Sequence, residues 1–487
     1  MLIPLYALTP IAAALAAILV LRAGPLIGAA IGLALAALAA ATIESATLNW
    51  PALGAAGQTA LAIAVSAASV IVPGLILNHE LDRRGALTEA AEGLRSLGMD
   101  PQRCAVILLL GLFPALECLT GFGISLLLAV PVLIRLLGPA VGVPVALLGM
   151  HIMAWGTMAL ATLIGAALAG MPPDLLGAVS AVLQVPALVV VGLIGIATIG
   201  GPDALRRHAV FAVLLALALA ALLHLNARFL LVETSGVLAG LGVALLGIGW
   251  EALRGRFRPG LGDLARLRGL APFAAALILL LLVRLVPPIA TFLDDVLVIG
   301  GGDLAISPLA SPGLALLIVA TILAARGSGF RWGVPLGRAI RPVAVVLAFI
   351  LLAQVMQQTG LLRIALAGAA GLPLAVLVPL APALGMLGGF TTGSAVAGNA
   401  LFLPAVTALG AAHGLAWDFA AIHNAAAGHG AFASLSIVSL TVAIASQAVP
   451  GGGPPVHVLA RFGLRSALLI YAALAAGFAL FRGLAGL

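Results

Sequence analysis

The chain has 487 residues, of which 63% are hydrophobic and only 8% charged, and its mean hydropathy is +1.25. These values exclude an ordinary soluble domain and point to a polytopic membrane protein. The formal charge of +7 does not indicate nucleic acid, because most arginines sit in short loops between apolar runs, as the positive-inside rule expects.

All of the basic residues are Arg, which removes lysine Schiff-base and phosphate-loop chemistry. Cys104 and Cys118 lie in apolar surroundings and read as packed thiols, so no disulfide framework, metal site or cofactor is expected. A chain spanning lipid must satisfy its backbone groups internally, as helices or a closed barrel. Ala- and Leu-rich runs without alternation choose helices. The expected fold class is therefore all-α.

Along the chain, residues 5–21 form the first expected span; the start lacks the basic residues of a cleavable signal. Arg22 follows, then a span over 25–43, an Arg-free loop over 44–56, and a span over 57–77. Residues 78–103 carry Arg83, Arg84, Arg95 and Arg103 and read as an amphipathic surface helix with Glu89 and Glu92 on its wet face. The stretch 104–134 is too broken for one helix and is expected to enter and leave on the arginine-rich, cytoplasmic side, where Arg135 follows it.

Spans over 141–170 and 175–200 lead to Arg206 and Arg207. Two more, 209–224 and 236–250, are joined by an outer loop holding Arg228. Residues 251–270 carry five arginines and divide an N-terminal half (1–250) from a C-terminal half (271–487). That half rises through 272–290 to Asp294, Asp295 and Asp303, and descends through 313–325 to Arg326, Arg331, Arg338 and Arg341. It rises again through 342–358 and then holds a second broken segment (385–408) and a last span over 464–481. The total is roughly 12–14 transmembrane helices on a ~20-residue ruler, with the N-terminus outside.

Two breaks share a pattern. One is Glu117-Cys-Leu-Thr-Gly-Phe-Gly-Ile-Ser125 and the other is Gly388-Gly-Phe-Thr-Thr-Gly-Ser-Ala-Val-Ala-Gly-Asn399; both contain Gly-Phe, and one falls in each half. Glycine-interrupted apolar segments in two halves point to a transporter's midplane site. Aligning the Gly-Phe pairs leaves Pro131 and Pro404 out of register, so the internal repeat rests on the breaks alone.

Glu117 is an ionisable group inside an apolar stretch, a functional hypothesis by default. Removal from water disfavours its charged form, which suits it to carry a proton. The plainer reading is a glutamate at a helix break, bonded to freed backbone amides. Thr391, Thr392, Gly393, Ser394 and Asn399 offer hydroxyls, an amide and helix-end N–H groups to an anion. Thr120, Gly121, Gly123 and Ser125 offer the same from the other break, with close packing of small residues as the alternative. His423, Asn424 and His429 form a third cluster; a proton relay, a helix cap or simple packing all suit such histidines. Their spacing does not place both imidazoles on one helical face for a metal. His151 reads as a packed histidine, and Arg284 and Arg363 as side chains reaching for the interface.

At these segments the chain resembles the lactate permease family of bacterial inner-membrane carriers. The likeness begins at Leu116-Glu117 with Gly121-Phe122-Gly123 and continues through Ser311-Pro-Gly313 and Val355-Met-Gln-Gln-Thr-Gly360. It is strongest at Gly385-Met-Leu-Gly-Gly-Phe-Thr-Thr-Gly-Ser394 and Asn399-Ala-Leu-Phe402, and it covers residues 104–465. It implies a multi-pass inner-membrane symporter that takes up a small 2-hydroxy monocarboxylate such as lactate or glycolate with a proton. The implied architecture is two inverted repeats with broken or re-entrant helices, moving as an elevator. A homodimer follows only by analogy with related carriers; the other expected partners are lipid, substrate and protons, not nucleic acid. The chain departs from the family after Ser394, where Ala395-Val-Ala-Gly398 replaces an acid and hydroxyls. A larger or less polar carboxylate fits that loss.

The expected mechanism holds the carboxylate at Thr120, Gly121, Thr392, Gly393, Ser394 and Asn399, with Glu117 taking the proton, assisted by His423 or His429. An intramembrane serine hydrolase using Ser394 with His423 or His429 is the competing class, though no Gly-x-Ser-x-Gly elbow is present. A passive anion channel is the third reading.

Overall fold

The computed structural model describes residues 2–21, 23–85, 99–121, 123, 125–255, 269, 271–299, 307–326, 332–367, 369, 371–448 and 453–484. Over these residues the protein is all-α and polytopic. Ten helices are long and apolar enough to cross a bilayer, or eleven if a pair bent by 87° between Leu285 and Pro287 is added. Large side chains face outward along them, with Val210 74% and Leu245 70% exposed. That much exposed apolar surface suits lipid and would drive association in water.

The expected 12–14 crossings exceed this number because helices that sequence counted as spans are short or folded. Thr9–Leu19, Ser125–Leu137, Pro173–Leu183, Gly313–Ala325 and Ala395–Ala411 are apolar but short. The helix Val185–Phe229 leaves helical dihedrals at Gly200 and Gly201. A Cβ placed on Gly192 would stand 3.3 Å from that of Ala212. Residues twenty apart in a straight helix lie about 30 Å apart, so the two arms fold back on one another. The turn falls beside Arg206 and Arg207, where the sequence places a loop.

Other boundaries shift. The first expected span is two short helices, Leu2–Ala7 and Thr9–Leu19. Residues 78–83 belong to the long helix Trp50–Arg83, not to a surface helix. Residues 86–98 of that expected surface helix, with Glu89, Glu92 and Arg95, lie outside the described residues, as do Arg22, Phe122, Asp303, Arg331 and most of the basic loop, while its end with Arg103 enters the buried helix Pro101–Ile107.

In space the helices form two groups. Thr9–Leu19, Pro25–Thr42, Trp50–Arg83, Gly313–Ala325 and Gly333–Gln358 pack together as one. The broken segments and their neighbours form the other, which joins residues 101–253 to residues 374–484. Small residues set the close approaches within it. A Cβ on Gly240 would stand 2.6 Å from the Gly111 carbonyl oxygen, and one on Gly389 would collide with the Ala427 carbonyl oxygen. Such seams are how apolar helices associate where lipid is as apolar as they are.

The first broken segment is a hairpin. Its ascending arm contains a π-helical turn, Leu108–Leu112, ahead of Phe113–Thr120. Pro114 has no N–H to donate to the preceding turn, a local cause for the widening. The arm ends at Gly121 and the chain returns through Ser125–Leu137. Asp100, Arg103, Leu137 and Arg207 line one cavity, so both ends of the hairpin lie on one arginine-rich face. There Arg103 pairs with Glu251 and covers the Phe211 ring at 5.2 Å.

A broken span, Pro139–Ala169, then crosses to the opposite face, interrupted at Gly156–Ala159. Ala169 shares a cavity with Ala411, the end of a second hairpin formed by Leu374–Thr392 and Ala395–Ala411. Leu374, where that hairpin starts, shares a cavity with Arg482, which pairs with Asp418 at 2.6 Å. The second hairpin therefore opens on the face opposite to the first. A second broken span, Ala416–Ala448, follows it.

Candidate functional site

Each hairpin tip is turned by glycine in the left-handed region, Gly121 at φ +70 and Gly393 at φ +69. Only glycine adopts that conformation freely. At Gly121 the space is closed as well, since a Cβ would collide with the Thr157 hydroxyl. Opposite the first tip, the broken span carries three consecutive non-glycine residues at positive φ, Thr157, Met158 and Ala159. Such backbone is costly and persists only where its surroundings over-determine it; it clusters at ligand sites.

Glu117 lies one turn before the first tip and is fully buried. Ser125 Oγ donates to its Oε2 at 2.8 Å, and the Gly123 N–H donates to Oε1 at 3.3 Å. Its carboxylate thus clasps the two arms of the hairpin. No cation pairs with it among the described residues. The plainer sequence reading, a glutamate bonded to freed backbone, describes part of this geometry.

Glu117 also lines a cavity of 370 Å3 that joins it to the second hairpin tip and lies between both helix groups. Thr392, Gly393 and Ser394 enter it from the second hairpin, and Gly156 and Thr157 from the first broken span. Ser436 enters from the second broken span, and Pro25, Arg341, Val345 and Val346 from the other helix group. Of the lining residues Arg341, Ser436 and Leu440 are exposed, so the cavity opens by them. Arg341, itself exposed, thus lines an otherwise apolar space together with Glu117 and several hydroxyl-bearing residues.

The other expected site residues lie around this cavity, not on it. Thr120 donates its hydroxyl to the Leu116 carbonyl at 2.7 Å, and Thr391 donates to that of Leu387 at 2.8 Å. Gly121, Gly123 and Ser125 shape the first tip and hold Glu117. Asn399 donates to Ala161 O at 2.9 Å and to Asn424 Oδ1 at 2.8 Å. Asn424 in turn donates to Thr162 Oγ1 at 3.1 Å and Ser180 Oγ at 3.2 Å. This buried amide network ties the returning arm of the second hairpin to the helices behind it.

His423 faces the backbone of Ala381 and Gly398, and neither ring nitrogen is in hydrogen-bonding geometry. His429 stacks on His151, with ring centroids 5.7 Å apart and planes 10° apart. Neither His423 nor His429 lines the cavity. Ser394 is the N-cap of its helix, accepting from the Ala397 N–H at 3.4 Å.

Sequence reasoning missed Arg341 and Thr157. Arg341 reads as a loop charge only if the helix starts at Pro342; it starts at Gly333. The signal was Pro335, since proline in a first turn marks a helix start. Nothing in Trp155-Gly-Thr157 announces its backbone. No protein-family model matches the chain, and no curated protein is significantly similar to it.

Proposed function

We propose that this polytopic membrane protein is a secondary active transporter that takes up a small monocarboxylate with a proton across the bacterial inner membrane. The observation that carries the reading is the cavity in which a buried carboxylate, Glu117 of one hairpin, meets the tip of a second hairpin that opens on the opposite face. An anion site at helix breaks needs hydrogen-bond donors, and the Ser394 hydroxyl with the N–H groups that open its helix fill that role, the Thr392 hydroxyl being given to the Gly388 carbonyl at 2.8 Å. Each hairpin is followed by a broken span, which is the order that an inverted repeat would give.

In this reading Glu117 takes a proton before the anion settles, so that two negative charges never share a low-dielectric space. The cavity lies between the two helix groups, so sliding of the hairpin group past the other would carry Glu117, the second hairpin tip and the substrate across, as an elevator does, leaving Pro25 and Arg341 behind. Proton and anion move together, and the charge cancels.

The hydrolase reading asks for a base beside Ser394. The ring nitrogens of His423 and His429 have no hydrogen-bond partner among the described residues, and Ser394 already caps a helix. Uptake of radiolabelled three- to nine-carbon monocarboxylates into proteoliposomes, with and without an imposed proton gradient, tests the proposal. Uphill accumulation is expected. Equilibration without accumulation would replace the carrier by a channel.

A further inference from the structure

We propose that Arg341 anchors the substrate carboxylate, and that the site takes a monocarboxylate with a branched or aromatic apolar tail in preference to lactate. The inference rests on the transport reading for its route but concerns what the cavity binds.

The first observation is charge. Arg103, Arg228, Arg284 and Arg482 each meet a carboxylate of a neighbouring helix. Arg341 lies two turns inside the helix Gly333–Gln358, lines the cavity, and has no acidic partner among the described residues. An unpaired guanidinium at the mouth of a cavity is a ready fork for a carboxylate. The single cation sets a limit as well. A dicarboxylate would bring a second negative charge towards Glu117 with nothing to balance it.

The second observation is room. A cavity of 370 Å3 holds about twelve waters at about 30 Å3 each. Lactate, with six bonded heavy atoms that each take less room than a water, would leave more than about half of that space to water. The walls beyond the polar groups are apolar: Leu160, Val345, Val346, Val396, Ile437 and Leu440. They offer a tail nothing to hydrogen-bond and reward buried carbon. An arginine that only reached for interfacial water would have no bearing on which acid is held.

The test separates binding from carriage. Purified full-length protein is heated with lactate, 2-hydroxy-4-methylpentanoate, 3-phenyllactate or succinate, and ligand-dependent stabilisation gives the apparent Kd. Each acid is also offered to proteoliposomes. The branched and aromatic acids are expected to bind at least about tenfold more tightly than lactate, and succinate not to bind. Arg341→Gln should weaken them by about ten- to a hundredfold, with Arg341→Lys recovering part of the loss. Val396→Phe, which shortens the room for a tail, should lose phenyllactate before lactate.

Equal or tighter binding of lactate, binding unaffected by Arg341→Gln, or stabilisation by none of the acids overturns the inference. Stabilisation by phenyllactate without any uptake would keep the inference and refute transport.

Discussion

Replacing Glu117 by glutamine should separate exchange from accumulation. Glu117 is the one carboxylate on the cavity wall among the described residues, so under the proposed function one proton would accompany one anion and no net charge would cross. A gradient of one pH unit is worth about 1.4 kcal/mol, which corresponds to about tenfold accumulation. A membrane potential, worth about 2.3 kcal/mol per charge at 100 mV, should add nothing.

Glutamine fills the same volume. It can still accept from Gly123 and turn its amide towards the Ser125 hydroxyl, so the hairpin clasp survives. It cannot exchange a proton. An ionised Glu117 about 6 Å from a bound carboxylate would cost about 3 kcal/mol at an effective dielectric of about 20. Wild-type affinity should therefore weaken as the pH rises and Glu117 ionises, whereas the glutamine variant should bind equally at all pH values. Proteoliposomes with an outside pH one unit below the inside provide the assay. Wild type should accumulate substrate about tenfold, and Glu117→Gln should reach equality while retaining counterflow exchange. Tenfold accumulation by the variant would refute Glu117 as the proton carrier.

Ser394→Ala should keep uptake, with KM raised about fivefold for one lost hydrogen bond and a small loss of helix capping. Complete inactivity in folded protein would return the nucleophile reading. Gly389→Ala forces a Cβ against the Ala427 carbonyl and to 2.9 Å from the Ala431 nitrogen. It should cost about 1–3 kcal/mol of stability, read as a lower melting temperature in detergent; an unchanged value would contradict the seam. Glu251→Ala leaves Arg103 without its partner in a site where the two side chains are 10% and 1% exposed. The loss should be about 3–5 kcal/mol, and Arg103→Met with Glu251→Leu should recover most of it. Equal destabilisation by the single and double changes would mean that the pair is immaterial.

Much of the architecture was legible because lipid imposes a simple rule. Backbone groups must be satisfied within helices, so apolar runs mark helices, and glycine with hydroxyls marks the places where they stop. The return of residues 104–134 to the face they left, the turn beside Arg206 and Arg207, and both hairpin tips follow from that rule and from loop charge. Helix starts were less visible. Sequence placed Arg341 in a loop because its cluster of arginines masked the start at Gly333.

Composition and local pattern thus determined that the protein is helical and membrane-spanning, that it breaks at Gly121 and Gly393, and that Glu117 is an ionisable group among apolar ones. These are properties of a residue and its near neighbours, which a one-dimensional reading contains. The tertiary structure alone decided that Glu117 and the second break share a cavity and that Arg341, Thr157 and Ser436 join them. It also decided that Asn399 and Asn424 bond to each other behind the cavity and that His429 stacks on His151. Those relations depend on which face of each helix meets which neighbour. In chains so uniformly rich in alanine, leucine and glycine, many pairings bury the same area, and close packing of small residues selects among them only in three dimensions.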